Sequence, residues 1–153
     1  MTTVVEVRQA FGDEALVSDW VDVTQELMND FARATDDWDW MHTDPDRARA
    51  EGFDGTIAFG FWTLSMLTRF LRGSMGREYP PDVLHGFNYG VERARFIRPI
   101  PVGSRIRNRM VVSDVRPKGP GRFLVTTHNE VEIEGEEGPA MVADWLTLFV
   151  YPD

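Results

Sequence analysis

The segment 56–73, TIAFGFWTLSMLTRFLRG, constrains the fold of this chain more than any other part of its sequence. Its large apolar side chains do not keep to one face of a helix, because they recur at positions 57, 59, 61, 62, 64, 66, 67, 70 and 71. A helix that is apolar nearly all round is buried on most of its sides. The chain has 153 residues, which is enough for one domain with a single core. We therefore predict that residues 1–153 form one domain in which a sheet wraps this helix.

The second half of the chain has the pattern of long strands. Alternating apolar residues between Gly- and Pro-rich turns predict strands at residues 85–98, 104–115, 123–134 and 141–151, and a strand near residues 17–23 brings the number to about five. Each of the four is about twice as long as a typical strand of roughly 5–6 residues. Two shorter helices, at residues 24–35 and 44–52, precede the apolar one. Helices followed by strands predict an α+β chain. Long antiparallel strands that curl round one buried helix describe a hot-dog fold.

Composition excludes several classes of function. Asp and Glu outnumber Lys and Arg by 25 to 16, and the net charge of −9 argues against nucleic acid as a partner. The absence of Cys excludes disulfides, cysteine-ligated metals and a thiol nucleophile. The N-terminal segment is too acidic for a secretion signal, and the most apolar stretch, residues 57–67, is too short to span a bilayer. We therefore expect a cytoplasmic protein without a membrane partner.

One histidine of the three, His42, lies among acids, in the non-periodic segment TDDWDWMHTD at residues 35–44. Spacing alone favours an acidic surface loop that carries one His. However, large apolar side chains are unusual in such a loop, and Trp and Met are interleaved with its acids. The segment then fits a partly dehydrated pocket in which an imidazole and carboxylates transfer protons. A hard cation is the weaker alternative, because a zinc or iron site would need a second His nearby.

Two further features each have a structural and a functional interpretation. Gly60, near the start of the apolar helix, serves either close packing or a ligand carbonyl that approaches free backbone N–H groups. Arginines are dense in two adjacent predicted strands, where they form either a solvated face balanced by acids or a cationic patch for phosphates. These arginines are Arg93, Arg95, Arg98, Arg105, Arg107 and Arg109.

Two motifs in order resemble the MaoC-like (R)-specific enoyl-CoA hydratases and 3-hydroxyacyl-thioester dehydratases, and among these the single hot-dog subgroup like nodulation protein N. The first is FARATDDWDWMHTDPDRARAEGFDGTIAFGFWTLSML at residues 31–67, and the second is FNYGVERARFIRPIPVGSRIR at residues 87–107. The resemblance covers most of residues 20–110. It implies a hot-dog fold and a homodimer or higher homo-oligomer with the acyl tunnel between protomers. It also implies an acyl-CoA substrate and no metal or redox cofactor.

The resemblance also implies the residues of the site. Asp37 and His42 fall on the acid–base pair of the family, and Gly60 falls on the glycine whose backbone N–H binds the thioester carbonyl. Asp39 stands where Asn or Gln is usual, and Phe59 replaces the His of an Ala-His-Gly motif. We assign Asp39 and Phe59 to substrate binding, and we expect these two departures from the family pattern to change the shape of the pocket.

The implied reaction is the addition of water to a trans-2-enoyl-CoA to give an (R)-3-hydroxyacyl-CoA, or the reverse dehydration. Two alternatives stay open. A hot-dog acyl-CoA thioesterase shares the fold and the ligand, although the Asp-x₄-His spacing speaks against it. A non-catalytic acyl-CoA-binding hot-dog protein is suggested by Phe59 and Asp39. Asp36, directly before Asp37, is a third residue that departs from the family pattern, because Gly is usual at this position.

Overall fold

The computed structural model describes residues 2–152. In chain order the elements are helix α1 (Val4–Gln9), strands β1 (Leu16–Val17) and β2 (Val21–Asp22), helices α2 (Gln25–Thr35), α3 (Trp40–Thr43), α4 (Pro45–Ala50), α5 (Gly60–Ser65) and α6 (Leu67–Met75), and strands β3 (His85–Phe96), β4 (Arg105–Gly119), β5 (Arg122–Ile133) and β6 (Pro139–Val150). Within residues 2–152 no helix has both the length and the apolar character needed to cross a membrane.

All the strands join one antiparallel sheet in the order β1–β4–β5–β6–β3, and β2 pairs with β4 beside β1. Buried and less buried residues alternate along β5 and β6, so one face of the sheet forms the core. Phe70 of α6 and Phe149 of β6 are among the largest fully buried side chains of that core. The prediction of an α+β hot-dog fold is confirmed.

The central helix begins four residues later than predicted and is interrupted at Met66. The preceding segment is extended, because Ile57 forms a bridge with Pro101 and the Ala58 N–H donates to the Ile100 carbonyl at 2.8 Å. Apolar residues suit an extended segment and a buried helix equally, so the pattern did not mark this boundary. At the interruption the Met66 N–H reaches the carbonyls of both residues 62 and 63, which tightens the last turn of α5.

Burial on most sides was predicted for the helix, and within one chain part of its surface is open. Phe61 of α5 is 71% exposed, and Arg69 and Arg72 give α6 a solvated face. The sheet therefore covers one side of the helix pair and leaves the side at Phe61 open. Phe61 meets Phe96 of β3 edge to face, with ring centroids 5.9 Å apart.

Two features near the N-terminus also differ from expectation. The single strand predicted near residues 17–23 is two strands of two residues each, β1 and β2, which brings the sheet to six strands. Helix α1 was not expected at all. Its signal is a capping box, in which Thr3 accepts from the Glu6 N–H and the Glu6 carboxylate accepts from the Thr3 N–H. Val7 is fully buried and packs α1 against the core.

Strand β3 forms an edge of the sheet that is rich in exposed apolar side chains. Within residues 2–152 its only ladder is the one with β6. Its exposed apolar residues are Phe87, Tyr89, Val91 and Phe96. An edge of this kind is a surface that another strand tends to cover.

Candidate active site

His42 lies on α3, a single turn whose start is fixed by Asp39. The Asp39 carboxylate accepts from the Met41 N–H at 2.9 Å and so caps this turn. The His42 Nδ1 is 2.8 Å from the Ile57 carbonyl oxygen. Because a carbonyl oxygen only accepts, Nδ1 carries the hydrogen of this bond. In the neutral imidazole, Nε2 is then left as a hydrogen-bond acceptor.

Phe59 supports the imidazole ring from one side. The rings of Phe59 and His42 are stacked, with centroids 3.9 Å apart and planes at 29°. Phe59 is 4% exposed and also packs on Phe31, at a centroid distance of 5.1 Å. Phe59 does not line the pocket beside His42 that is described next, and its observed contacts are with His42 and Phe31. Its predicted role in substrate binding stays a prediction.

A pocket of about 280 Å³ opens beside His42. Its walls are mostly apolar and come from the segment before α5, from α5, from the end of β3 and the residues after it, and from β6. Gly60 and Arg98 both line it, and the apolar lining includes Ile57, Ala58, Phe96, Ile97, Ile100 and Met141. His42 and Gly60, two of the predicted site residues, therefore line the same pocket.

Gly60 is the first residue of α5, and no side chain caps this helix start. The backbone N–H groups of a first helical turn have no acceptor within the helix. The glycine also has a packing role, because a Cβ built at this position would lie 3.1 Å from three carbons of the Phe96 ring. Both interpretations of Gly60 thus keep a physical basis.

Asp37 follows a left-handed residue at the end of α2. Asp36 has φ 56°, and this turn lets the Asp37 N–H donate to the Ala32 carbonyl at 3.2 Å. The requirement for a left-handed residue explains why Gly is usual at position 36. The Asp37 carboxylate is exposed, accepts from the Asp39 N–H at 3.3 Å and does not line the His42 pocket of a single chain. Its pairing with His42 stays a prediction.

Gln25 of α2 makes contacts that spacing in the sequence did not indicate. Its side chain bonds to the backbone carbonyl of His42 and to the hydroxyl of Thr56. These partners are 17 and 31 residues away along the chain. A single sequence gives no local signal for contacts of this range.

A second histidine lies on the outer face of the sheet, which is the face opposite the core. His128 of β5 is directly opposite Asp144 of β6 in the ladder, and its Nδ1 is 2.7 Å from the Asp144 carboxylate. Arg93 of β3 is 2.9 Å from the other oxygen of Asp144, and Glu130 is 3.5 Å from the His128 Nε2. His128 therefore takes part in a cross-strand contact.

Five of the six arginines, all except Arg95, lie within ion-pair distance of an acid, which fits the solvated and balanced sheet face. Arg105 is 3.0 Å from Glu134, and Arg107 is 2.9 Å from Glu132. Further ion pairs join Arg98 to Glu136, Arg109 to Glu132 and Arg93 to Asp144. A phosphate would have to compete with these carboxylates for five of the six arginines, so the group does not form an open cationic patch. Across residues 2–152, no three His, Asp or Glu side chains are grouped so as to hold a metal ion.

Comparison with known proteins gives one consistent family. Residues 6–134 match the family model of the MaoC-like domain. The chain is 37% identical to nodulation protein N of Rhizobium leguminosarum bv. viciae, over 97% of this chain and 92% of the relative. It is 40% identical to 3-hydroxyacyl-thioester dehydratase Z of Mycobacterium tuberculosis, over 97% of this chain and 96% of the relative. A solved structure, the (R)-hydratase from A. caviae involved in PHA biosynthesis, superposes with a TM-score of 0.71 at 17% identity, over 92% of this chain and 97% of that one. This last likeness shows the fold.

Proposed function

The chain belongs to the MaoC-like domain family, and from that premise we propose that it adds water to a trans-2-enoyl-CoA to give an (R)-3-hydroxyacyl-CoA, or catalyses the reverse dehydration. Family membership supports a hydratase or dehydratase, and one relative is named a 3-hydroxyacyl-thioester dehydratase. The observation that carries the proposal is the imidazole of His42, which lines an apolar pocket and has its Nδ1 bonded to a backbone carbonyl. This bond leaves Nε2 as the ring nitrogen that can accept a proton.

In the proposed reaction, the enoyl group enters the apolar pocket with its thioester carbonyl on the N–H of Gly60. Water forms a bond to C3, the electrons of the C2=C3 bond move to the thioester, and the enolate oxygen is stabilised by the backbone donors at the start of α5. His42 and Asp37 hold the water, and Nε2 takes its proton because Nδ1 already carries one. A proton from the pair then reaches C2, which completes the addition. General acid–base catalysis of this kind contributes about 10²–10⁴-fold.

The same proposal includes a second copy of the chain. The edge of β3 carries exposed Phe87, Tyr89 and Val91, and Phe61 of α5 is exposed beside it. A partner strand on this edge would bury those side chains and bring a second protomer to the wall that Phe96 contributes to the pocket. We expect a homodimer or a higher homo-oligomer, which the mass measured by light scattering at several concentrations tests. A monomeric mass at every concentration would contradict this part of the proposal.

The reaction is tested with a panel of trans-2-enoyl-CoA substrates of increasing chain length, beginning with crotonyl-CoA. Hydration removes the absorbance of the conjugated thioester and leaves the thioester bond intact. Release of free thiol from saturated acyl-CoA would instead indicate a thioesterase. Tight binding of acyl-CoA without any conversion by the purified oligomer would indicate a non-catalytic binding protein. Either of these two results would replace the proposed hydro-lyase.

A further inference from the structure

Gln25 of α2 is half-buried behind the His42 pocket and joins the two chain segments that hold the imidazole. Its Nε2 donates to the His42 carbonyl oxygen at 2.7 Å and to the Asn29 Oδ1 at 3.0 Å. Its Oε1 accepts from the hydroxyl of Thr56 at 2.5 Å. The orientation of the amide follows from its partners, because the His42 carbonyl only accepts and therefore must face the NH₂ group.

Two of these bonds, to His42 and to Thr56, hold the two chain segments on which the position of the imidazole depends. The bond to the His42 carbonyl holds the backbone from which the ring projects. The bond from Thr56 holds the residue before Ile57, whose carbonyl takes the Nδ1 hydrogen of His42 at 2.8 Å. The two segments also pair directly, because the Ile57 N–H donates to the Met41 carbonyl at 3.0 Å. With a single side chain, Gln25 thus joins the backbone of His42 to Thr56, the residue before the acceptor of the ring hydrogen.

Thr56 is buried, which makes this contact sensitive to substitution. Its side chain and backbone together are 4% exposed, and its backbone carbonyl accepts from the Val102 N–H at 2.9 Å. A buried polar group that loses its partner keeps the full cost of its desolvation. The hydroxyl of Thr56 therefore favours the one rotamer of Gln25 that also reaches His42.

We propose that Gln25 is a positioning residue, which sets the orientation and the tautomer of His42 through its paired bonds to the His42 carbonyl and to Thr56. The inference rests on the proposed function, because it assigns a role within the same site. It differs from a general stabilising role in what it predicts: the loss should fall on kcat and on the state of one imidazole, and the pocket walls that bind the acyl group should keep their affinity.

The first test removes each bond without changing the volume of the side chain. In Gln25→Met and in Thr56→Val, we expect kcat for crotonyl-CoA to fall by about 10–100-fold with KM within about threefold, because a misplacement of about 1 Å costs on the order of 10²-fold. The double variant should lose about as much as either single variant, since both break one coupled unit. Thr56→Ser keeps the hydroxyl and should restore most of kcat. A kcat within about threefold of the parent in both single variants would overturn the proposal.

A second test gives a pH profile that a purely structural role would not produce. In Gln25→Glu, the protonated carboxyl can still donate to the His42 carbonyl, whereas the ionised carboxylate faces that oxygen with a second acceptor. The activity of this variant relative to the parent should therefore rise as the pH falls from about 8 to about 5, since free Glu titrates near 4.3 and partial burial favours its neutral form. A ratio that stays constant over this range would count against positioning by the amide NH₂.

A third measurement separates the failure of this inference from the failure of the proposed function. The nitrogen NMR shifts of His42 report which ring nitrogen carries the hydrogen, with or without a substrate. We expect the Nδ1–H tautomer in the parent protein and a mixture of tautomers in Gln25→Met. If the parent converts no enoyl-CoA, the proposed function fails, and the tautomer measurement alone then decides the inference. Unchanged tautomers in Gln25→Met would overturn it.

Asn29 supplies the matched control. It lies one turn further along α2 and accepts the third bond of Gln25, yet it has no bond to His42 or Thr56. Asn29→Ala should keep kcat within about threefold of the parent value. The His42 tautomer in this variant should be the same as in the parent. An effect of Asn29→Ala as large as that of Gln25→Met would show that any change in α2 disturbs the site, and the specific role of Gln25 would be withdrawn.

Discussion

His42 and His128 lie on opposite sides of the sheet, and each has its Nδ1 within hydrogen-bond distance of an oxygen. For His42 the oxygen is the neutral carbonyl of Ile57 at 2.8 Å, and for His128 it is the carboxylate of Asp144 at 2.7 Å. His42 faces an apolar pocket, whereas His128 lies in a network of ion pairs with Glu130 and Arg93. Of the two histidines, the proposed function uses only His42, so a histidine–carboxylate pair is not by itself the basis of the proposed site. The apolar pocket and the neutral acceptor of the Nδ1 hydrogen distinguish His42 from His128.

Substitution of each histidine gives the largest expected contrast. His42→Ala should lower the rate of crotonyl-CoA hydration by about 10²–10⁴-fold, because it removes the proposed acceptor of the water proton. His128→Ala should keep the rate within about threefold, because its ring contacts only groups on the outer face. Both rates are measured on variants whose thermal unfolding shows a folded protein. Equal losses in the two variants would remove the distinction between the two sites.

Asp37→Asn tests whether His42 works together with Asp37, whose carboxylate does not line the His42 pocket of a single chain. We expect a loss of at least about 10²-fold in kcat/KM, because the amide keeps the shape of Asp37 and cannot accept a proton. Asp39→Asn makes the same change two residues away, at a position assigned to substrate binding, and an Asn side chain still caps the turn that carries His42. It should keep the rate within about tenfold. Near-normal turnover of Asp37→Asn would leave His42 as the only member of the proposed pair.

Asp144→Ala tests the outer network through stability. The Asp144 side chain is only 11% exposed, whereas its partners His128 and Arg93 are 41% and 81% exposed. Because water can solvate both partners after the change, the free energy of unfolding should fall by only about 1 kcal/mol. The rate of hydration should stay within about threefold. A large loss of activity in a folded Asp144→Ala protein would instead assign a functional role to the outer face.

The sequence allowed most of the sheet to be predicted, because strands with one buried face alternate with a period of two. The predicted strand at residues 85–98 is found at His85–Phe96, and the one at residues 141–151 is found at Pro139–Val150. The start of the central helix was wrong, because Ile57 and Ala58 are apolar in a segment that pairs as extended chain. The exposure of Phe61 could not be foreseen from an apolar pattern, which does not tell a core contact from a surface that a second chain covers.

The sequence predicted those parts of the candidate site that a local pattern of residues marks. Trp and Met among acids drew attention to His42, and that histidine does lie at an apolar pocket. The partners that hold it, Ile57 and Gln25, are 15 and 17 residues away, and only the fold brings them to the ring. The same limit applies to Asp144, which reaches His128 through the register of two strands.

The smallest effect is expected from replacing two residues that have a left-handed backbone conformation. Asp36 is close in sequence to His42, and Arg93 belongs to the network around His128. Asp36 has φ 56° and Arg93 has φ 50°, and each would lose this strain on replacement by Gly. Asp36 gives up only an exposed bond to Trp38, at 3.2 Å, whereas Arg93 gives up its ion pair with the nearly buried Asp144, at 2.9 Å. Asp36→Gly should therefore raise the free energy of unfolding by up to about 1 kcal/mol, and Arg93→Gly should leave it unchanged or lower it. Chemical denaturation of both variants measures the difference. An Arg93→Gly variant more stable than the parent protein would mean that the ion pair on the outer face contributes less than the strain it accompanies.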